Sequence, residues 1–177
     1  MTRRWMGLVL VSVATVGCGY ALAGRGSFLP DYIETVGIPM FENNTPVFEV
    51  EQLLTQQVRQ EFIGRGRYQV VSDNVGVDAV LDGSIQDIRI TPASFTADQQ
   101  ASRYVFTLTA SIVFRDLMTD EVLWENTRLV FSDEYEVATG GGAVESVSSF
   151  FGQRSNAVDR LAVDFAEAVV SAILEAF

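Results

Sequence analysis

The chain has 177 residues, with 23 acidic side chains against 12 basic ones, a formal net charge of −11 and no histidine; every basic residue is an arginine. That composition excludes Ser-His-Asp and Cys-His catalysis, histidine-bound zinc, lysine Schiff bases and the lysine-dependent phosphate loop. It also speaks against nucleic acid as a partner, because phosphate binding rests on clustered cations.

In chain order, the first element is an address. Arg3 and Arg4 precede the apolar run Trp5–Val16, broken only by Gly7, Ser12 and Thr15. The run falls short of the roughly 20 residues that span a bilayer, and it reads as the apolar core of a secretory signal. It ends at Val16-Gly17-Cys18, which holds the only cysteine. Small residues before a cysteine resemble the bacterial lipobox, with Thr15 standing where leucine is usual. Cleavage after Gly17 leaves Cys18 as a lipid-modified N-terminus. The alternatives are an ordinary signal peptide with an incidental cysteine, a short anchor, or a twin-arginine signal at Thr2-Arg3-Arg4, whose following residues match poorly. Processing at Cys18 leaves ten arginines against 23 acids. Gly19, by resemblance to Gram-negative lipoproteins, implies transfer to the outer membrane.

Residues 18–34, with Gly19, Gly24, Gly26 and Pro30, read as a lipidated tether. Residues 35–177 read as one domain. Thr35–Phe41 is a short apolar run bounded by turn residues, hence a buried strand. Thr45 and Pro46 suit the N-cap and first position of a helix. Its apolar face is Val47, Val50, Leu54, Val58 and Phe62, and it ends near Gly64 and Gly66. Arg67–Ser72 is a second strand. From Ala79 to about Thr91 the chain is extended. Ala79, Leu81 and Ile85 share one parity and Ile88 and Ile90 the other, so a bulge is expected at Gln86-Asp87. Pro92–Gln100 is a polar loop. Tyr104–Phe114 shows the clearest alternation in the chain. Asp116–Asp120 turns it into a return strand, Glu121 to about Glu136, with Val122, Trp124, Leu129 and Phe131. Residues 137–154, rich in Gly and Ser, read as a mobile loop closed by Phe150-Phe151. A last helix then starts at Ser155 or Asn156 and carries Val158, Leu161, Ala162, Phe165, Val169, Ala172, Ile173 and Ala176 on one face. The expected fold is α+β: two helices packed on one face of a four- to five-stranded, mostly antiparallel sheet.

The segment Cys18–Pro30 (CGYALAGRGSFLP) resembles the start of the LptE family of lipopolysaccharide-assembly lipoproteins, at Cys18, Gly19, Tyr20, Gly24, Gly26, Leu29 and Pro30. The likeness continues through Val36–Phe41, Asn43-Asn44-Thr45, the helix Glu51–Phe62 and the strand ending in Val122-Leu123-Trp124. It implies an outer-membrane lipoprotein that faces the periplasm and the lumen of an LptD-type β-barrel. Such a protein plugs the barrel, assists its assembly and helps insert lipopolysaccharide into the outer leaflet. No cofactor and no catalysis are implied.

Contacts to lipopolysaccharide phosphates call for arginine, whose planar fork binds phosphate in a bidentate manner. The candidates are Arg65 and Arg67, at a helix-to-strand turn, and Arg89 and Arg103, flanking the loop between two strands. The competing reading is solvated or acid-paired surface charge. Asp133, Glu134 and Glu136, or Asp116, Asp120 and Glu121, lack the spacing of a calcium loop, so no metal site is assigned. Val36–Phe41, Asn43-Asn44-Thr45, the following helix and Tyr68–Val71 also resemble the domain shared by CsgG, the TolB N-terminal domain and LpoB. That likeness implies a periplasmic accessory lipoprotein of secretion or cell-wall synthesis, and it leaves Cys18–Pro30 unexplained.

Overall fold

The computed structural model describes residues 29–65, 67–95, 101–136 and 143–175; of residue 101 and residues 143–155 it describes the backbone alone. Cys18, and therefore the lipid-attachment assignment, lies outside the described residues.

The elements are β1 (Thr35–Gly37), β2 (Glu42–Asn43), α1 (Val50–Gly64), β3 (Gln69–Val71), β4 (Ala79–Phe95), β5 (Ala101–Asp116), β6 (Val122–Glu136) and α2 (Ala143–Glu175). They make an α+β fold around one sheet with strand order β3-β1-β4-β5-β6, and β2 pairs with β4 outside that path. The long pairs β4–β5 and β5–β6 are antiparallel, whereas β1 runs parallel to β3 and β4.

The alternation in β5 decides which face is covered. Phe106, Leu108, Ala110, Ile112 and Phe114 are all buried. They form one core cluster with Leu54, Val58 and Phe62 of α1 and with Leu161, Phe165, Val169 and Ile173 of α2. The α2 stripe is centred slightly differently from the expected one. Ala157, Ala166 and Val170 are buried, whereas Ala172 is half-buried.

The register shift between Ile85 and Asp87 is the expected bulge. It returns Ile88 to the core side, while Ile90 lies farther along β4 and is exposed. A second shift, between the pairs Ala110↔Leu129 and Ile112↔Asn126, does the same for β6. It brings both Trp124 and Leu129 against the core despite their opposite parity.

The strand expected over Thr35–Phe41 stops at Gly37, because Pro39 has no N–H for a ladder. Side chains of α1 take over. The Arg59 guanidinium donates from Nε and Nη2 to the Ile38 carbonyl at 2.8 and 2.6 Å, and burial lowers its pKa. The Phe41 N–H donates to Thr55 Oγ1 at 3.0 Å, and that hydroxyl donates to the Glu51 carbonyl. Thr55, fully buried, is thereby satisfied.

Helix α1 starts at Val50, after the expected Thr45. Asn43 captures the local donors instead. Its Oδ1 accepts from the Thr45 N–H and hydroxyl, and its Nδ2 donates to the Val47 carbonyl and to Glu51 Oε2. An Asx turn of this kind competes with helix initiation. The capping position falls to Glu49, in the left-handed region at φ 69° with no side-chain cap. Asn43→Ala is expected to cost about 1–2 kcal/mol through the loss of these bonds, read as a lower midpoint in urea unfolding with unchanged slope.

Two further expectations are corrected. The backbone is helical from Ala143, so the loop expected over 137–154 overlaps α2; residues 137–142 and the Phe150-Phe151 side chains lie outside the description. Strand β4 also extends to Phe95, into the expected loop Pro92–Gln100, and β5 begins at Ala101, ahead of the expected Tyr104; residues 96–100 lie outside the described residues. Pro92 is tolerated because β2 reaches only to Ile85, so β4 is an edge strand beyond that point.

Candidate functional site

Among the described residues, the sheet face opposite the helices is left uncovered apart from the buried Val80. Cross-strand pairs on it are Val80–Arg115, Asp82–Val113, Ser84–Ser111, Asp87–Thr109, Arg89–Thr107 and Thr91–Val105 between β4 and β5. Thr109–Val130, Thr107–Ser132, Val105–Glu134 and Arg103–Glu136 continue it onto β6. Small hydroxyl, β-branched and charged side chains therefore alternate across three long strands. At the β2 edge this face holds a shallow groove of about 290 Å³, lined by Met40, Glu42, Asp82, Ser84, Ser111 and Val113. Burial raises the pKa of Asp82, partly countered by Arg115.

The four candidate arginines occupy two places. Arg89 and Arg103 are both on the open face, but they oppose Thr107 and Ser94 respectively, so they are not adjacent. Arg89 pairs with Asp87 at 3.0 Å. Arg103 pairs with Glu136 at 2.8 Å and Glu134 at 3.6 Å. The Glu136 hydrogen bond, then the charges of Glu136 and Glu134, raise its pKa. Arg65 bonds Glu61 at 2.9 Å and Ser171 at 2.8 Å, tying α1 to α2. Arg67 pairs with Asp31 at 3.2 Å. An anion at any of the four would have to displace a carboxylate. Exposed pairs are worth only about 0–1 kcal/mol, so displacement costs little. Arg128, at the β6 bulge, escaped notice in the sequence. It is exposed and carries no ion pair among the described residues.

The two acidic groups considered for calcium are dispersed by the fold. Asp133 faces the helices and accepts from Arg160 at 2.7 Å, while Glu134 and Glu136 face the other side with Arg103. Asp120 pairs with Arg115. Among the described residues no three acidic or sulfur ligands converge on a metal position.

Asp116 has a different task. It is buried, accepts a hydrogen bond from the Tyr32 hydroxyl and receives the Met118 and Thr119 N–H groups at 2.7 and 3.3 Å. With Leu29 and Ile33 buried in the core, this fastens residues 29–34, expected as tether, onto the domain. Burial pushes the Asp116 carboxyl up, but the bonds from Tyr32, Met118 and Thr119 outweigh it and the net pKa is lowered. A depressed folded pKa means stability that is present above the unfolded value, about 3.9, and lost as pH falls through the folded one. Asp116→Asn is expected to lower the unfolding midpoint at neutral pH. It should also flatten the decline of stability below about pH 4, measured by urea titrations at stepped pH.

A two-helix layer on one face of a long-stranded, mostly antiparallel sheet defines an α+β domain of one core. The family model described as "LptE: Lipopolysaccharide-assembly" matches residues 33–173. The chain belongs to the LptE family of lipopolysaccharide-assembly lipoproteins. Solved structures share its fold at low identity. Rare lipoprotein B from Shewanella oneidensis is 10% identical, with TM-score 0.51 over 81% of this chain and 98% of that one. An uncharacterized lipoprotein B from Nitrosomonas europaea is 13% identical, with TM-score 0.53 over 89% and 96%. A minor lipoprotein from Acinetobacter baumannii is 12% identical, with TM-score 0.52 over 83% and 95%. No curated protein matches. Among the described residues, no helix is long and apolar enough to cross a membrane.

Proposed function

We propose that this lipopolysaccharide-assembly protein is anchored to the outer membrane by acyl groups on Cys18 and faces the periplasm. There it enters the lumen of an LptD-type β-barrel, supports the barrel's assembly and assists lipopolysaccharide insertion into the outer leaflet. It acts by binding and makes or breaks no bond. The observation that carries this reading is the family match across residues 33–173.

The bare sheet face supports the lumen assignment. Barrel interiors are polar, and a face of Ser84, Ser111, Thr107, Thr109 and Ser132 with scattered charges suits contact with such a wall better than burial in lipid. Arg65, Arg67, Arg89 and Arg103 remain the proposed phosphate contacts, each exchanging its carboxylate for phosphate at little cost.

The test is crosslinked co-purification of the tagged, full-length protein from its host's outer membrane. A stoichiometric large β-barrel is expected, and Cys18→Ser should release the protein from the membrane fraction. Recovery of a peptidoglycan synthase, a homo-oligomeric ring or no barrel would overturn the reading.

A further inference from the structure

The sheet has two unlike ends. At one, the chain enters the domain: Tyr32 bonds Asp116, the Glu34 and Thr35 N–H groups donate to Asp78 Oδ2, and the Leu117 N–H donates to the Asp78 carbonyl at 2.9 Å. These bonds hold together the entering segment, the β3–β4 loop and the β5–β6 hairpin loop. The same end gathers five of the 12 large exposed hydrophobic side chains among the described residues: Tyr32, Val75, Leu117, Met118 and Val122. Val75 is 77% and Met118 69% exposed. The hairpin that carries Leu117 and Met118 is closed by its own hydrogen bonds. Asp116 Oδ1 accepts from Met118 and Thr119, the Asp116 N–H donates to the Glu121 carbonyl, and Asp120 takes a left-handed conformation at φ 56°. Backbone strain and hydrogen bonds are thus spent on presenting two apolar side chains to the outside.

From this patch, we infer that the Leu117-Met118 hairpin, flanked by Tyr32 and Val75, is a membrane-contact tip that inserts into the headgroup layer of the bilayer holding the lipid anchor. The inference rests on the anchored reading above, and chain length is what selects the occupant. Eleven residue steps separate Cys18 from Leu29, which at about 3.5 Å each hold this end within roughly 40 Å of the lipid. Strand β4, with 17 residues, carries the opposite end roughly 56 Å further along the sheet. The anchored end is therefore also the apolar end, at the periplasmic mouth of the barrel, and the long β4–β5 hairpin extends from it into the lumen.

Electrostatics sets the lipid class. Arg67 and Arg115 at this end are neutralised by Asp31 and Asp120, and Asp73 and Glu121 add negative charge. Among the described residues the tip therefore offers anionic headgroups no unpaired cation, so its contact is apolar and suits zwitterionic lipid. Single exposed side chains of this size bind weakly on their own, and the anchor supplies the effective concentration.

The experiment uses the mature chain beginning at Cys18, in which Trp124 is the sole tryptophan. Trp124→Phe with Met118→Trp places one reporter on the tip. Trp124→Phe with Val163→Trp places the control on the exposed face of α2. Both are reconstituted into phosphatidylethanolamine–phosphatidylcholine vesicles with brominated chains. Quenching severalfold stronger at position 118 than at 163, unchanged by added anionic lipid or molar salt, is expected. Equal quenching at the two positions overturns the inference, as does dependence on anionic lipid. If Trp124→Phe unfolds the chain, quenching added by Met118→Trp over the wild-type tryptophan decides the same point. Failure of the natively processed protein to float with vesicles would instead remove the anchor. The chain coupled through the Cys18 thiol to a maleimide lipid then tests the tip independently.

Discussion

Phe165→Ala is expected to destabilise the domain by about 3–5 kcal/mol, the range for deleting a fully buried aromatic ring. Phe165 sits where α2, the edge strand β6 and the Phe41 segment over β4 meet. It lies on the inner stripe of α2 and is fully buried. Its ring meets Phe131 of β6 edge-on, at 5.2 Å and 71°, and Phe41 at 6.4 Å and 74°. Phe41 in turn lies across Gly83 of β4, whose absent side chain makes room for the ring. One line of aromatic contacts therefore runs from the central strand to the edge strand, with α2 as its keystone. Edge-to-face pairs of this kind add about 0.5–1.5 kcal/mol each beyond burial. The prediction is checked by urea unfolding of the chain without its signal and anchor. Phe165→Leu, which keeps most of the volume, should lose clearly less. A loss for Phe165→Ala below about 1.5 kcal/mol would mean that α2 is not seated on the sheet as described.

The covered face of the sheet was legible because burial leaves a period. Tyr104–Phe114 alternates so cleanly that only one face can be buried, and the switch of parity after Ile85 required a bulge before any register was known. The starts of both helices were not legible. Thr45-Pro46 is a sound local start signal, but Asn43 binds the same groups more effectively in a turn. The Ser- and Gly-containing stretch after Ala143 has low intrinsic helix propensity. Propensity is a weak prior, and most helical stability in proteins comes from tertiary packing.

The charges divide similarly. Arg65–Glu61 follows from i,i+4 spacing on a helix, and Arg89–Asp87 from shared parity on a strand. Arg103–Glu136 needs the β5–β6 register, and Arg67–Asp31 has no local signal at all. The Tyr32–Asp116 bond joins residues 84 positions apart, so the fastening of the entering segment was invisible in one dimension. The family resemblance was legible for another reason. It records ancestry and does not depend on packing.

Gly37→Val is the second large effect, expected to cost about 3 kcal/mol or more as overpacking against immovable backbone. Gly37 lies in β1, between β3 and β4. A Cβ at this position would stand 2.3 Å from the Asp73 carbonyl oxygen and 3.0 Å from Val77. The obstacle is backbone of the β3–β4 loop, which cannot swing aside as a side-chain tip would. Relief requires lifting residues 72–78 from the sheet, and that loop ends in Asp78, which holds the Glu34 and Thr35 N–H groups and the Leu117 N–H. A substitution in the core of β1 should therefore be felt at the apolar end of the sheet. In amide hydrogen exchange, Gly37→Ala is expected to raise exchange selectively at Thr35 and Leu117, with the β5–β6 ladder around Leu108 retaining protection near that of the wild type. Uniform loss of protection across both regions would show that the chain-entry end and the sheet centre unfold as one unit, and that the tip has no independent framework.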